Sequence, residues 1–344
     1  MKLRYIDAIR GIAILLVIMT HSFQIFDLGK FNAMFSMGAK GVQMFFVASS
    51  FTLFLSFNHR KNTEERYIRN FFIRRFFRIA PMYYTGVCFF FWTNEMQVSN
   101  QLASIISNIF FIHGINPLLI SSIVPGGWSI SAEMIFYLLV PFLATKIRNT
   151  NQSINFILIT YVFSMIFRLI LIKYPLVNNE TLMSVFIYSN LINQLPVFGI
   201  GILSYFVIID KDYRIKVESY FVIFLLLISH MIWKVTLTNT FCISLLWVLL
   251  IFILSIKEFK FVVNRFTVFM GKISYSAYLI HFAILQFIRP FVKTEYFDNI
   301  GFALLFFIFI IVSTSIISQL TYTFIEIPFQ KFGKNIIKAT SKIE

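Results

Sequence analysis

The chain has 344 residues, of which 58% are hydrophobic and only 13% charged, roughly half the share of about 25% usual in soluble domains. A water-soluble or disordered chain is excluded, because one domain of this size cannot hide so much apolar surface. The net charge of +15 would suit nucleic acid, but lysine and arginine gather in the cytoplasmic loops of membrane proteins for topological reasons, so no nucleic-acid partner is expected.

Taken in order, the apolar runs predict an all-α polytopic bundle of about ten transmembrane helices, with about 20 residues per span as the ruler. They cover 9–27, 41–57, 79–95, 129–145, 155–172, 184–208, 219–236, 239–256, 273–289 and 301–325. A shorter run at 101–113 reads as an interfacial or re-entrant piece. If both termini are cytoplasmic, the inside segments hold 23 of the 30 lysines and arginines, which favours an even number of spans. One membrane-embedded domain over 1–344 is expected, with no appended soluble domain. Cys88 and Cys242 both lie in apolar runs, which argues against a disulfide, and no metal site is predicted.

The first span carries charge where lipid would forbid it. In "RYIDAIRGIAILLVIMTHS" (4–22), Arg10 and His21 are eleven residues apart. A helix turns them to nearly one direction and separates them by about 16 Å. Asp7 lies one turn before Arg10 on the same side. Ionisable groups inside a span are costly and mark functional sites by default, and a histidine can take and return a proton near neutral pH. A plain interhelical hydrogen bond for His21 is the structural alternative.

Before the third span comes "RNFFIRRFFRIAPMYY" (69–84). Arg75 and Arg78 share a face, Arg74 flanks them, and Pro81 marks a kink or a helix start. Arginine rather than lysine suits bidentate phosphate binding, although a topological stop explains Arg69 and Arg74 equally well. In "GGWSISAEMIFYLLVPF" (126–142), Glu133 is an intramembrane carboxylate with Ser129 and Tyr137 four residues either side, and Trp128 reads as an interfacial anchor. In "GKISYSAYLIHFAI" (271–284), Tyr275, Tyr278 and His281 form a polar stripe. His59, His113 and His230 are weaker candidates, and Glu326 is expected to pair with a basic residue.

Together these segments resemble acyltransferase family 3, membrane enzymes that O-acylate bacterial surface polysaccharides and related molecules. "RYIDAIRGIAILLVIMTH" is similar to the family's opening, with ten residues between its Arg and His. "GVQMFFVASSFTL", "RRFFRIAPMYY", "WSISAEMIFYLLVP", "ISYSAYLIH" and "YTFIEIPFQKFGK" follow in family order. Ser50 stands where glycine is common and Met134 where a second acidic residue is often found.

The resemblance implies transfer of an acyl group, most often acetyl, from cytoplasmic acyl-CoA to a sugar hydroxyl outside, at the bacterial cytoplasmic membrane. Acetyl-CoA or another acyl-CoA would be the co-substrate, and a polysaccharide or glycolipid sugar the acceptor, with membrane lipid around the chain. On this reading Arg75 and Arg78 bind the CoA phosphates and Arg10 extends their track. His21 acts as base or carries the acyl group. Glu133 orients or balances His21 or serves the acceptor, with Ser131 and Tyr137 as hydrogen-bond partners. A polysaccharide or lipid-linked sugar transporter, or an inactive assembly scaffold, is the alternative. Transport predicts inverted repeats, and none is visible in the sequence.

Overall fold

A computed structural model describes residues 3–93, 101–209, 236–293, 296 and 298–340. Among them the structure is helical and contains no strand. Its helices are α1 (Arg4–Phe23), α2 (Lys30–Ser36), α3 (Gly41–Lys61), α4 (Tyr67–Thr93), α5 (Gln101–Ile109), α6 (Gly127–Lys146), α7 (Thr150–Lys173), α8 (Glu180–Ser189) and α9 (Leu191–Ile208). There follow α10 (Thr236–Ile256), α11 (Arg265–Lys272), α12 (Ser274–Ile288), α13 (Ile300–Thr321) and α14 (Ile327–Thr340). A π-helical turn over Tyr322–Glu326 joins the last two.

By length and apolarity, six helical segments among the described residues can cross a membrane: Arg4–Phe23, Met34–Lys61, Gly127–Lys146, Thr150–Lys173, Glu180–Ile208 and Ile300–Thr340. The pair α11 and α12 makes a seventh if read as one span, bent by 79°. The sequence pattern expected about ten. Of the others, 79–95 falls largely on α4, whose apolar half is diluted by Arg78, Tyr83, Tyr84 and Thr85. The run 239–256 falls on α10, and 219–236, with His230, lies outside the described residues except for Thr236. Pro81 neither starts nor ends α4, which runs through it. The backbone group a helical proline frees is the carbonyl four residues earlier, here that of Phe77; the Thr85 hydroxyl donates to the carbonyl of Pro81 itself at 3.0 Å. The run at 101–113 contains only the nine-residue α5, too short to span.

The chain divides into two compact units. The first takes Met1–Phe45, Ile73–Phe90 and Ile256–Glu344. Its centre is α1, which packs on α11, α12 and α13 and buries Ile6, Ile9, Ile14 and Val17. Lipid gives helices no hydrophobic reason to associate, so close backbone contact at small residues does the work. Gly11 lies on the backbone of Thr267, and Gly271 on that of Asp7. A side chain at either would occupy the facing carbonyl.

The second unit takes Phe46–Phe72 and Phe91–Ser255. There α7 packs on α9, with Gly199 against Ile157 and Phe156. Phe198 of α9 stacks on Phe136 of α6 at 4.0 Å and on Phe46 of α3 at 4.5 Å. Asn190 stops α8 and starts α9. Its side chain donates to the Phe186 carbonyl at 2.7 Å and accepts from the Asn193 amide at 3.1 Å, which fits asparagine's preference for N-caps.

Gly11→Ala or Gly271→Ala is expected to cost about 1–3 kcal/mol by overpacking. Gly86→Ala is the control, since its Cβ meets the Leu279 side chain at 3.7 Å, an ordinary contact. Thermal unfolding of detergent-solubilised protein should show lower midpoints for the first two and no loss for the third.

Candidate functional site

In the first unit α1 starts with Asp7 in its first turn and ends with His21 in its last. Arg10 is half-buried on the same helix, so both residues of the predicted pair stand on one helix. The ring of His21 is half-buried, and its Nδ1 lies 3.0 Å from Oε1 of Gln24. An amide oxygen only accepts, so Nδ1 carries the hydrogen and Nε2 keeps its lone pair.

Beside His21 stands His281 of α12, with ring centroids 5.5 Å apart. His281 is 0% exposed. Its Nδ1 lies 3.0 Å from the Ala277 carbonyl, one turn back in its own helix. Phe282 closes the pair, 4.0 Å from the His281 ring and 4.6 Å from that of His21, and Tyr278 lies 5.9 Å from His281. The predicted polar stripe thus divides. Tyr278 and His281 turn into the helix packing, while the Tyr275 hydroxyl donates to the Ile79 carbonyl of α4 at 2.8 Å.

Arg75 and Arg78 of α4 are both half-buried, so neither is a freely solvated surface charge. Arg78 is within electrostatic reach of Glu326 and of Tyr322, and Asp7 of Tyr322. Glu326 is only 4% exposed. It accepts from the Ser276 amide at 3.1 Å and the Ser276 hydroxyl at 2.6 Å. Its hydrogen-bond partner is therefore a serine at the start of α12, where backbone N–H groups are free to bind an anion, with Arg78 supplying charge nearby.

Glu133 belongs to the second unit. Its Oε1 accepts from the Tyr137 hydroxyl at 2.6 Å and from the Ser49 hydroxyl. Tyr137 is the partner expected at i+4. Ser129 is not, because its hydroxyl turns back to the Gly126 carbonyl at 3.0 Å. Ser131 does not serve Glu133 either. It donates to the Phe111 carbonyl at 2.6 Å and accepts from the Gly114 amide at 3.0 Å, pinning the turn where Phe111 has a φ of 59°. His113 ties the same segment to α6, 2.9 Å from the Gly127 carbonyl, and burial lowers its pKa below the ordinary value. Trp128 packs edge-on to Phe46 and Tyr188, and His59 is exposed.

Sequence reasoning overlooked Ser49, Ser276 and Gln24 and did not pair the two histidines. Gln24 was findable, since i and i+3 side chains meet on a helix. Ser49 is 84 residues from Glu133, and no local spacing announces it.

A helical chain that crosses the membrane repeatedly, with histidines, arginines and carboxylates fixed within it, has the form of an integral-membrane enzyme. The class is specified by the match of acyltransferase family 3, described as an acyltransferase domain, to residues 3–322. The chain belongs to that family and is a membrane-bound acyltransferase. No curated protein and no solved structure matches it.

Tyr137→Phe removes a donor from Glu133 and is expected to lower stability by about 1–3 kcal/mol, read as a lower unfolding midpoint in detergent. His113 stabilises the fold in its neutral form. Its folded pKa lies below the unfolded value of about 6.5, so its contribution is whole above that pH and is lost as pH falls further. His113→Asn should lose less stability than wild type between about pH 7 and 5, measured by the same unfolding assay.

Proposed function

We propose that the protein transfers an acyl group, acetyl in the first instance, from cytoplasmic acyl-CoA to a hydroxyl of a cell-surface polysaccharide or glycolipid. The site of action would be the bacterial cytoplasmic membrane. The observation that carries this reading is the tautomer of His21, whose Nδ1–H is committed to Gln24 and whose Nε2 is left basic. That nitrogen removes the proton of the acceptor hydroxyl as its oxygen bonds to the thioester carbonyl carbon. The carbon–sulfur bond breaks, and His21 returns the proton to the departing thiolate, so that no net proton is consumed. Attack by Nε2 itself, through an acyl-imidazole that the hydroxyl then cleaves, uses the same atom.

Arg75 and Arg78 are suited to hold CoA phosphates, since a guanidinium binds phosphate through two parallel N–H groups. Their place on α4, in the same compact unit as His21, supports that assignment. Arg10 on α1 extends the positive track. Glu133, already bound by two hydroxyls, is assigned to the acceptor side.

The test is transfer of radiolabel from acetyl-CoA to extractable glycan or glycolipid in inverted membrane vesicles, with succinyl-CoA as the second donor. His21→Ala should lower transfer by about 10²–10⁴-fold with the protein still in the membrane. Arg75→Ala should raise the apparent KM for acetyl-CoA about tenfold or more. It is a cleaner probe than Arg78→Ala, because Arg78 also bears on Glu326. Wild-type transfer by His21→Ala would remove His21 from the mechanism. Failure of the wild-type protein with both donors would refute the acyl-CoA reading.

A further inference from the structure

His281 carries an atom that the resting structure does not satisfy. Its Nδ1 faces the Ala277 carbonyl, and a carbonyl only accepts, so the hydrogen sits on Nδ1 and the lone pair on Nε2. That Nε2 is buried and has no hydrogen-bond partner. A buried polar atom left unmatched is destabilising and calls for a reason. No solvent reaches this residue, which is 0% exposed, and the rings around it are those of Phe282, Tyr278 and His21. Of these, the His21 imidazole is the one that gains an N–H during the reaction proposed above. The centroid separation of 5.5 Å is within reach of an N–H···N bond of about 3 Å once the radius of each ring is counted.

We propose that His281 is a positioning residue acting through His21, and that its Nε2 accepts a hydrogen bond from the Nε2–H that His21 acquires when it deprotonates the acceptor hydroxyl. The inference rests on the reading of His21 as the base. While His21 is neutral, both Nε2 atoms are acceptors and no bond joins them. When the hydroxyl proton moves to His21, the new N–H finds a waiting acceptor and Gln24 keeps the other. The bond lasts until the proton passes to the thiolate, which leaves His21 neutral and His281 unchanged. An interaction absent from the ground state and present as charge develops lowers the barrier without tightening substrate binding. It also gives the orphan nitrogen its reason, since satisfying it at rest would forfeit the difference.

The experiment compares wild type, His21→Ala, His281→Phe, His281→Gln and the double variant His21→Ala/His281→Phe in vesicles supplied with radiolabelled acetyl-CoA. Retention time on size-exclusion chromatography serves as the check of folding. His281→Phe should lower kcat roughly tenfold to a hundredfold with the KM for acetyl-CoA unchanged. His281→Gln keeps an acceptor oxygen and should recover a large part of the loss. The double variant should be no slower than His21→Ala alone, as expected of groups that act as one unit.

A KM effect with kcat intact, a glutamine variant as slow as the phenylalanine one, or additive losses in the double variant would each overturn the proposal. All three are compatible with His21 as base. If wild type transfers label but His21→Ala transfers it equally well, the reading of His21 fails first and the pairing fails with it.

Discussion

The backbone contact between α1 and α11 is the constraint on which the first unit rests. Gly11 and Gly271 each admit the carbonyl of the facing helix. No side chain larger than hydrogen fits between, so the two helices have one depth of approach and one register. One residue beyond Lys272 the chain turns by 79° into α12, and that turn is what delivers His281 to His21 and Ser276 to Glu326. His21 therefore owes its surroundings to a packing contact more than two helical turns away on α1.

Carboxylates in both units are handled in one manner. Glu133 is bound by the hydroxyls of Ser49 and Tyr137, and Glu326 by the hydroxyl and amide of Ser276. Hydroxyls and backbone amides satisfy a carboxylate without bringing in a second ion, whose desolvation would cost several kcal/mol more. Arg78 influences Glu326 through space.

Much of this was legible in the sequence because it is local. Apolar runs marked most helices, eleven-residue spacing put Arg10 and His21 on one helix, and i, i+4 spacing gave Tyr137 to Glu133. Family motifs in order gave the class. What stayed hidden was long-range or against preference. His21 and His281 are 260 positions apart, and nothing in either segment names the other. Ser131 shares a motif with Glu133, but its hydroxyl turns toward the 111–114 segment, and Ser129 bonds its own helix start. Pro81 suggests a kink or a helix start, and α4 runs on through it. Arg78, Tyr83, Tyr84 and Thr85 lower the apolarity of α4, and the described apolar stretch of α10, Ile243–Ile256, is shorter than a full span, which is why counting runs and measuring helices differ.

The π turn at Tyr322–Glu326 has a consequence for how the end of the chain tolerates change. Such a turn holds one residue more than an α-helical turn does, so it offsets the angular phase of the helix after it. It is this offset that leaves α13 facing α1 and α12 while α14 sets Gly333 on the ring of Phe77. A one-residue deletion inside the turn would keep the helix unbroken and every residue of α14 unchanged. It would still rotate α14 by about 100° and carry Gly333 off Phe77. The spacing of this segment is consequently constrained as tightly as its composition, and descendants of this chain can exchange side chains along α14 far more freely than they can lose a residue before it.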